Sequence, residues 1–542
     1  MEKMTNGTPA RKAFAAGVFF LGAANILVKV LGLLFKIPMS YYLGDEGMGY
    51  FNSAYQIYVW LYMLSTAGLP VAVSILIAGA RAEGDADKIR RVFRITWRTF
   101  LLLGIGGAAF LFFGAGLLSH AVGAPDARFS VAAIAPTLFF ICLSGALRGY
   151  FQGFQQMGPP AVSQVIEAVG KLGVGVALAA YAHGAGLALP VVSAYAVAGL
   201  AVGEAGGTLY LFLALRRASR KGRFDVRPAA IREREDDRTV FARLLRIALP
   251  ITCSASVMSL TGLVDLAVIQ RRLQDIGYTA ATATSFYGNY TTLAVPLFNL
   301  PPALIYPITT ALIPLLSAKV AAEERAGAVR VAHSVMRLTS LIAMPCALGL
   351  TVFSGPILRL LFRADMAATA APLLSVLGPA VLFLCWLTVS NAILQAYGRA
   401  RLSMISMLCG AAVKTAANYI LLGIPSVGTY GVPLSTLLCY ATAFSINLVF
   451  LFRVCGALPA SGAVLFRPLF AAALAVGAGL GVYLLCGGAS ASRILILPVI
   501  AVTALVYAAG AFLLGCVTEE ELRILPGVSR FARVFPRSGP AA

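Results

Sequence analysis

The stretch AFAAGVFFLGAANILVKVLGLLFK (13–36) is apolar enough to cross a membrane, yet it carries Asn25, Lys29 and Lys36. About 20 apolar residues span a hydrocarbon core of about 30 Å. A cation inside such a run costs several kcal/mol, roughly, unless it faces protein, water or an anion. Gly22, Asn25, Lys29, Gly32 and Lys36 recur at spacings of three and four, which places them on one helical face. That face must look into protein or a cavity. Gly22 and Gly32 permit close packing, and Lys36 is also placed to snorkel.

Outward from this segment the same composition continues. The chain of 542 residues is 59% hydrophobic with mean hydropathy +0.84, and carries a net charge of +21. About fourteen apolar runs follow one another, the first two near 13–35 and 50–80, the seventh and eighth near 245–270 and 284–317, the last near 493–516. Such runs lack the polar face that a soluble bundle needs, so the expected fold is an all-α polytopic membrane protein. The nine cysteines form no CxxC and read as small membrane-helix residues. Arg11 and Lys12 before an apolar run resemble a signal-peptide start, but Asn25, Lys29 and Lys36 interrupt it, so a retained first helix is expected.

Basic residues gather in the N-terminal tail, in Arg81 to Arg98, in Arg216 to Arg246 and in the C-terminal tail. The positive-inside rule then places both termini in the cytoplasm. The charged stretch RRASRKGRFDVRPAAIREREDDR (216–238) reads as a solvated linker between two halves. The expected organisation is an N-terminal lobe of six helices (1–215), a basic linker (216–242), a second lobe (243–456), and two more helices with a basic tail (457–542). One shift superposes Gln152 on Gln395 and Lys171 on Lys414, and nearly the same shift puts Ala82-Glu83 on Ala322-Glu323. Two lobes repeated in parallel are a transporter layout.

Within the runs several groups stand out. Ser254, Thr261, Asp265 and Arg272 share a face of the seventh span, with Arg271 beside its end, and a guanidinium fork suits phosphate. Asp265 either orients an arginine or responds to H⁺ or Na⁺. Glu167 and Lys171 stand one turn apart, so an internal ion pair is expected; Lys414 with Asn418 repeats that spacing without the acid. Glu204 is either an ion-coupling carboxylate or a partner for Lys171. Arg148 lies beside Gly145, Gly149 and Gly153, which suggest close helix packing or a gate. Five prolines between Pro296 and Pro314 forbid a regular eighth helix. No G-x-x-x-x-G-K-[ST], HExxH, G-x-S-x-G or Cys/His cluster occurs, so neither an ATPase nor an enzyme is expected.

The segments LVKVLGLLFKIP-x6-GDEGMGYFNSAYQIY (27–58), STAGLPVAVSILIA (65–78), ALRGYFQGFQQMGPPAVSQVIEAVGKLG (146–173) and VDLAVIQRRLQ followed by TSFYGNYTTLAVPLFNLPPALIYPITTALIPLLSA (264–318) resemble the stage V sporulation protein B-like polysaccharide exporters. Those proteins are related to the lipid II flippases and the MATE drug exporters. The resemblance implies a V-shaped, two-lobed MATE-like fold with two added C-terminal helices, working by alternating access in the bacterial plasma membrane. It implies an undecaprenyl-pyrophosphate-linked, anionic cell-wall oligosaccharide as substrate, flipped with peptidoglycan or sporulation. On it, Lys29, Lys36, Arg271 and Arg272 match cavity-lining cations and Asn25 joins them; Arg148, Glu167, Lys171, Glu204, Asp265 and Lys414 are left for gating or ion coupling. No cofactor is implied; H⁺, Na⁺ or the membrane potential would drive it. Membrane lipids and cell-wall synthases are the implied partners of a monomer, and nucleic acid is not. The rival is a cation-coupled MATE-type drug exporter, which would want a carboxylate-rich cavity.

Overall fold

A computed structural model describes residues 9–220, 224, 236–456, 462–488 and 493–516. Every regular element among these residues is helical. The first, α1 (Pro9–Thr66), runs through Gly44, whose φ/ψ of 59°/−165° is the one non-helical step in it. That backbone region is open to glycine almost alone. The two spans expected at 13–35 and 50–80 are thus joined at one kinked residue, where the sequence suggested a loop. The chain breaks instead at Ala67-Gly68, before Pro70 starts α2 (Leu69–Ala82), because proline suits the first helical turn.

The helices α3 (Ala86–Phe113), α4 (Ala115–Ala121), α5 (Arg128–Gly153), α6 (Gly158–Gly184) and α7 (Leu189–Arg220) follow. Asp85 caps α3 by accepting from the Lys88 N–H at 2.8 Å. The glycine stripe of α5 does what small residues do in membranes: an added Cβ on Gly149 would lie 2.7 Å from the Pro70 carbonyl oxygen of α2. The same closeness holds between α6 and α7, where a Cβ on Gly203 would lie 2.6 Å from the Glu167 carbonyl oxygen.

Next come α8 (Asp237–Asp275), α9 (Ala280–Asn289), a π turn (Tyr290–Ala294), α10 (Val295–Phe298) and α11 (Leu300–Ala321). The proline-rich eighth span is therefore broken into pieces, as Pro296, Pro301 and Pro302 require. By contacts the chain divides into two units, 1–292 and 293–542. The helix α8 packs on α1, α2, α3 and α9 and so belongs with the first unit, although the sequence sets the linker 216–242 before it.

The second unit continues with α12 (Arg325–Val352), α13 (Ser354–Leu361), α14 (Ala364–Ala396), α15 (Ala400–Leu422), α16 (Gly431–Cys455), α17 (Gly462–Leu485) and α18 (Ile496–Leu513). Here α14, α15 and α16 pack among themselves as α5, α6 and α7 do in the first unit, which is the repeat seen in sequence. The added pair α17 and α18 is fastened to α12: Arg337 donates to the carbonyls of Gly515 and Cys516 at 2.6 and 2.9 Å, and Tyr507 donates to that of Leu341 at 2.7 Å.

Eleven helical stretches among the described residues are long and apolar enough to cross a membrane, and one of them, Val30–Ala82, takes in the end of the first expected span and all of the second. With the seventh and eighth, which are helical here as α8 and α9–α11, the set is compatible with fourteen. All nine cysteines are free.

Candidate functional site

The π turn creates the first element of the site. In a π turn a carbonyl meets the N–H five residues ahead. For Thr291 that residue is Pro296, which has no N–H to give. A carbonyl without a donor inside protein costs about 1–3 kcal/mol. Lys36 of α1 fills the gap: its Nζ donates to the Thr291 carbonyl oxygen at 2.8 Å. Asn52 of α1 adds a second tie, donating from Nδ2 to Thr292 Oγ1 at 2.8 Å in a buried setting.

A second cation stands nearby. Lys171 of α6 holds its Nζ 4.9 Å from the ring centre of Phe35 and 5.1 Å from that of Tyr55. A ring face attracts an ammonium by its quadrupole without neutralising it, and the Glu167 carboxylate one turn earlier on α6 acts on the same charge from beyond ion-pair distance. Phe35, whose ring Lys171 faces, directly precedes Lys36 in α1, so the two ammonium groups share one neighbourhood. Neither Lys36 nor Lys171 forms an ion pair with a described residue. Tyr55 begins a stack along α1, with ring centres 5.9 Å from Tyr55 to Tyr58 and 6.0 Å from Tyr58 to Tyr62.

The close contacts of Glu167 and Glu204 go to an arginine, so the expected Glu167–Lys171 interaction is a longer-range one and not a direct ion pair. Arg148 Nη2 lies 3.2 Å from Glu167 Oε2 and 3.8 Å from Glu204 Oε1, and its Nε donates to Ser163 Oγ at 3.2 Å. The physical reason is the planar fork of the guanidinium, which reaches Ser163 and both carboxylates from α5, while the Lys171 ammonium lies over the rings of Phe35 and Tyr55. Glu204 is fully buried and is no partner for Lys171; its Oε1 accepts from Ser144 Oγ at 2.6 Å. Its Oε2 has no hydrogen-bond partner. Arg148 is therefore an interior residue that ties α5 to α6 and α7.

The remaining sequence candidates scatter. Asp265 is buried within α8. Arg272, near the end of that helix, meets Asp275 at 3.3 Å, while Arg271 is exposed with its stem against Gly123. Lys414 is half-buried on α15, where the neighbouring Asn418 accepts from Ser435 Oγ at 2.5 Å. The side chains of Asn25 and Lys29 lie outside the described residues, as do linker residues 225–235 and the basic tail beyond Cys516.

Sequence reasoning passed over Thr291, Asn52 and the tyrosine stack. The signal for Thr291 was available, since Pro296 stands five residues after it. The tyrosines recur at spacings of three and four, but on an apolar helix that pattern is also plain packing. Taken together, the interior of the first unit presents two ammonium groups without a close ion pair among the described residues, beside an aromatic file, while Glu167 and Glu204 lie against Arg148. Such an arrangement accepts an anion.

Apolar helices in repeated three-helix sets, with charge kept in the interior, define a multi-pass membrane transport protein. The profile of the polysaccharide biosynthesis protein family matches residues 14–320, more than half of the sequence, and the chain belongs to that family. A MatE profile matches residues 291–420. The chain is 30% identical to the stage V sporulation protein B of Bacillus subtilis (strain 168), over 79% of this chain and 81% of that one. It is 23% identical to the lipid II flippase MurJ of the same organism, over 81% and 82% of the two chains. Its fold matches that of a lipid II flippase MurJ solved in an inward closed conformation, with TM-score 0.67 and 17% identity over 91% of this chain and 98% of the other. These relatives are transport and sporulation proteins and not enzymes, in keeping with the sequence reading.

Proposed function

We propose that this protein is a flippase for an anionic, lipid-linked cell-wall oligosaccharide of the undecaprenyl-pyrophosphate type, working by alternating access in the bacterial plasma membrane with both termini in the cytoplasm. The observation that supports the reading is the pair Lys36 and Lys171, two neighbouring ammonium groups in the interior of the first unit, neither of which makes a close ion pair with a described residue, Glu167 acting on Lys171 only at longer range. A pyrophosphate bears charge and acceptor oxygens for both, while its polyprenyl tail stays in lipid. Lys29, Arg271 and Arg272 add positive charge along the first and seventh spans, with Asn25 as a neutral hydrogen-bonding neighbour. The Arg148–Glu167–Glu204 cluster and Asp265 serve gating or coupling to H⁺ or Na⁺, with Lys414 as the counterpart of Lys171 in the second repeat. Relatives named as a flippase and a sporulation protein support this reading.

Two measurements test it. Native mass spectrometry of the purified protein is expected to find a co-purified polyprenyl phosphate lipid. Flipping of a fluorescent lipid II analogue in proteoliposomes should collapse in a Lys36→Ala, Lys171→Ala double variant that inserts normally. Unchanged flipping by that variant would sink the site assignment. Export of cationic drugs without flipping would move the function to the MATE drug exporters.

A further inference from the structure

A second positive site lies outside this interior, at the polar end of α3. Arg90, Arg94 and Arg98 follow one another every fourth residue and share a face. With a rise of about 1.5 Å per residue, adjacent arginines are offset by about 6 Å along the helix. They line a cavity of about 400 Å³ together with Phe93, Trp97 and Tyr150. Arg90 is engaged with Asp87 at 2.8 Å. Arg94 and Arg98 are exposed and form no hydrogen bond or ion pair with a described residue.

The wall of this cavity is built. Phe93 packs edge-on to Tyr150 with ring centres 4.7 Å apart and lies 6.1 Å from Trp97. Behind them Phe224, from the start of the linker, seats its ring 5.2 Å from Tyr150 and 4.7 Å from Phe154. A merely solvated basic helix face needs no aromatic wall and no linker residue folded in behind it.

Its position in the sequence says what it meets. From Thr99 to Phe113 the helix carries no charge, so Arg98 and Trp97 stand at the boundary between apolar core and polar interface. Tryptophan favours that level, and basic pockets between helices there take phosphate head groups. We infer that the α3–α5 cavity binds the head group of an anionic glycerophospholipid, its phosphate held by Arg94 and Arg98 and its glycerol against Trp97. This lipid is bound from the surrounding membrane and is independent of the cargo proposed above.

The chain contains three tryptophans, and Trp97 is made the sole reporter by Trp60→Phe and Trp386→Phe. In nanodiscs, phosphatidylglycerol brominated near its ester should quench Trp97 more strongly than brominated phosphatidylcholine. Arg94→Gln with Arg98→Gln should abolish that preference, with a loss of roughly fivefold in phosphatidylglycerol affinity per arginine. Since Trp386 donates to Ser340 Oγ at 3.0 Å and its replacement perturbs packing, native mass spectrometry of delipidated wild-type protein gives the same comparison without those changes. Equal binding of the two lipids, or unchanged phosphatidylglycerol affinity in the double arginine variant, would overturn the site. Displacement of the lipid by an equal concentration of inorganic phosphate would overturn its assignment to a lipid.

Discussion

Lys36 reaches across 255 residues of sequence to donate its ammonium to the Thr291 carbonyl, 2.8 Å away, at the turn that Pro296 deprives of a backbone donor. On the proposed function one side chain would thereby have two duties, holding a turn and offering charge to an anion. The duties are separable. Lys36→Ala should destabilise the protein by about 1–3 kcal/mol through the orphaned carbonyl, read as an earlier midpoint in chemical unfolding in detergent. Adding Pro296→Ala supplies an N–H and should restore part of that stability while flipping stays lost. Recovery of both would reduce Lys36 to a structural residue.

Lys171 has no such structural duty beyond its two rings. Lys171→Met keeps bulk against Phe35 and Tyr55 and removes only the charge. Stability should change little, because the desolvated ammonium is gone. Affinity for undecaprenyl pyrophosphate should fall by roughly 10–100-fold, the range of one charge-assisted hydrogen bond at about 1.5–3 kcal/mol. Isothermal titration in detergent checks both halves.

Arg148 is the reverse case. Its guanidinium lies against Glu167 and the fully buried Glu204, so Arg148→Ala strands two carboxylates. Breaking a buried pair from one side costs about 3–5 kcal/mol. Arg148→Ala should therefore lower the yield of folded protein sharply, and Glu167→Gln with Glu204→Gln in the same chain should recover much of it. Size-exclusion profiles and thermal stability distinguish the variants. If the single variant were as stable as wild type, the cluster would not be the internal tie described.

Gly44 turns α1 with φ of 59° and ψ of −165°. A Cβ there meets no neighbour within 4 Å, so the effect of Gly44→Ala is backbone strain alone. The expected cost is about 1–3 kcal/mol. Because Lys36 and Asn52 lie on opposite sides of this residue, the same change should loosen both ties to the π turn, seen as faster amide exchange at 287–294.

The spans, the repeat and the broken eighth helix could be read from sequence because hydropathy, proline and matched segments are local signals. Gly44 could not: GDEG between two apolar runs has the composition of a loop, and only the surrounding packing keeps it helical on both sides. The Glu167–Lys171 reading was incomplete for a related reason, since Glu167 acts on the Lys171 charge but makes its close contact with Arg148. Spacing along α6 reports which residues share a face, but not that Arg148 arrives from α5 with a better fork. Lys36 was found by its cost in a membrane, and its partner was missed because a backbone carbonyl has no letter in the sequence.

The seventh span, α8, makes its contacts with α1, α2, α3 and α9, on the near side of the boundary at Thr292. During synthesis, then, the first unit is not complete when six spans have left the ribosome. It must wait for α8, and for the π turn to bring Thr291 to Lys36, before its interior charges find their places. A nascent chain halted within the linker would lack the Thr291 acceptor of Lys36, whereas one that has passed Pro296 carries the first unit and the whole π turn. The order in which the ribosome delivers these segments thus sets when the interior around Lys36 first exists.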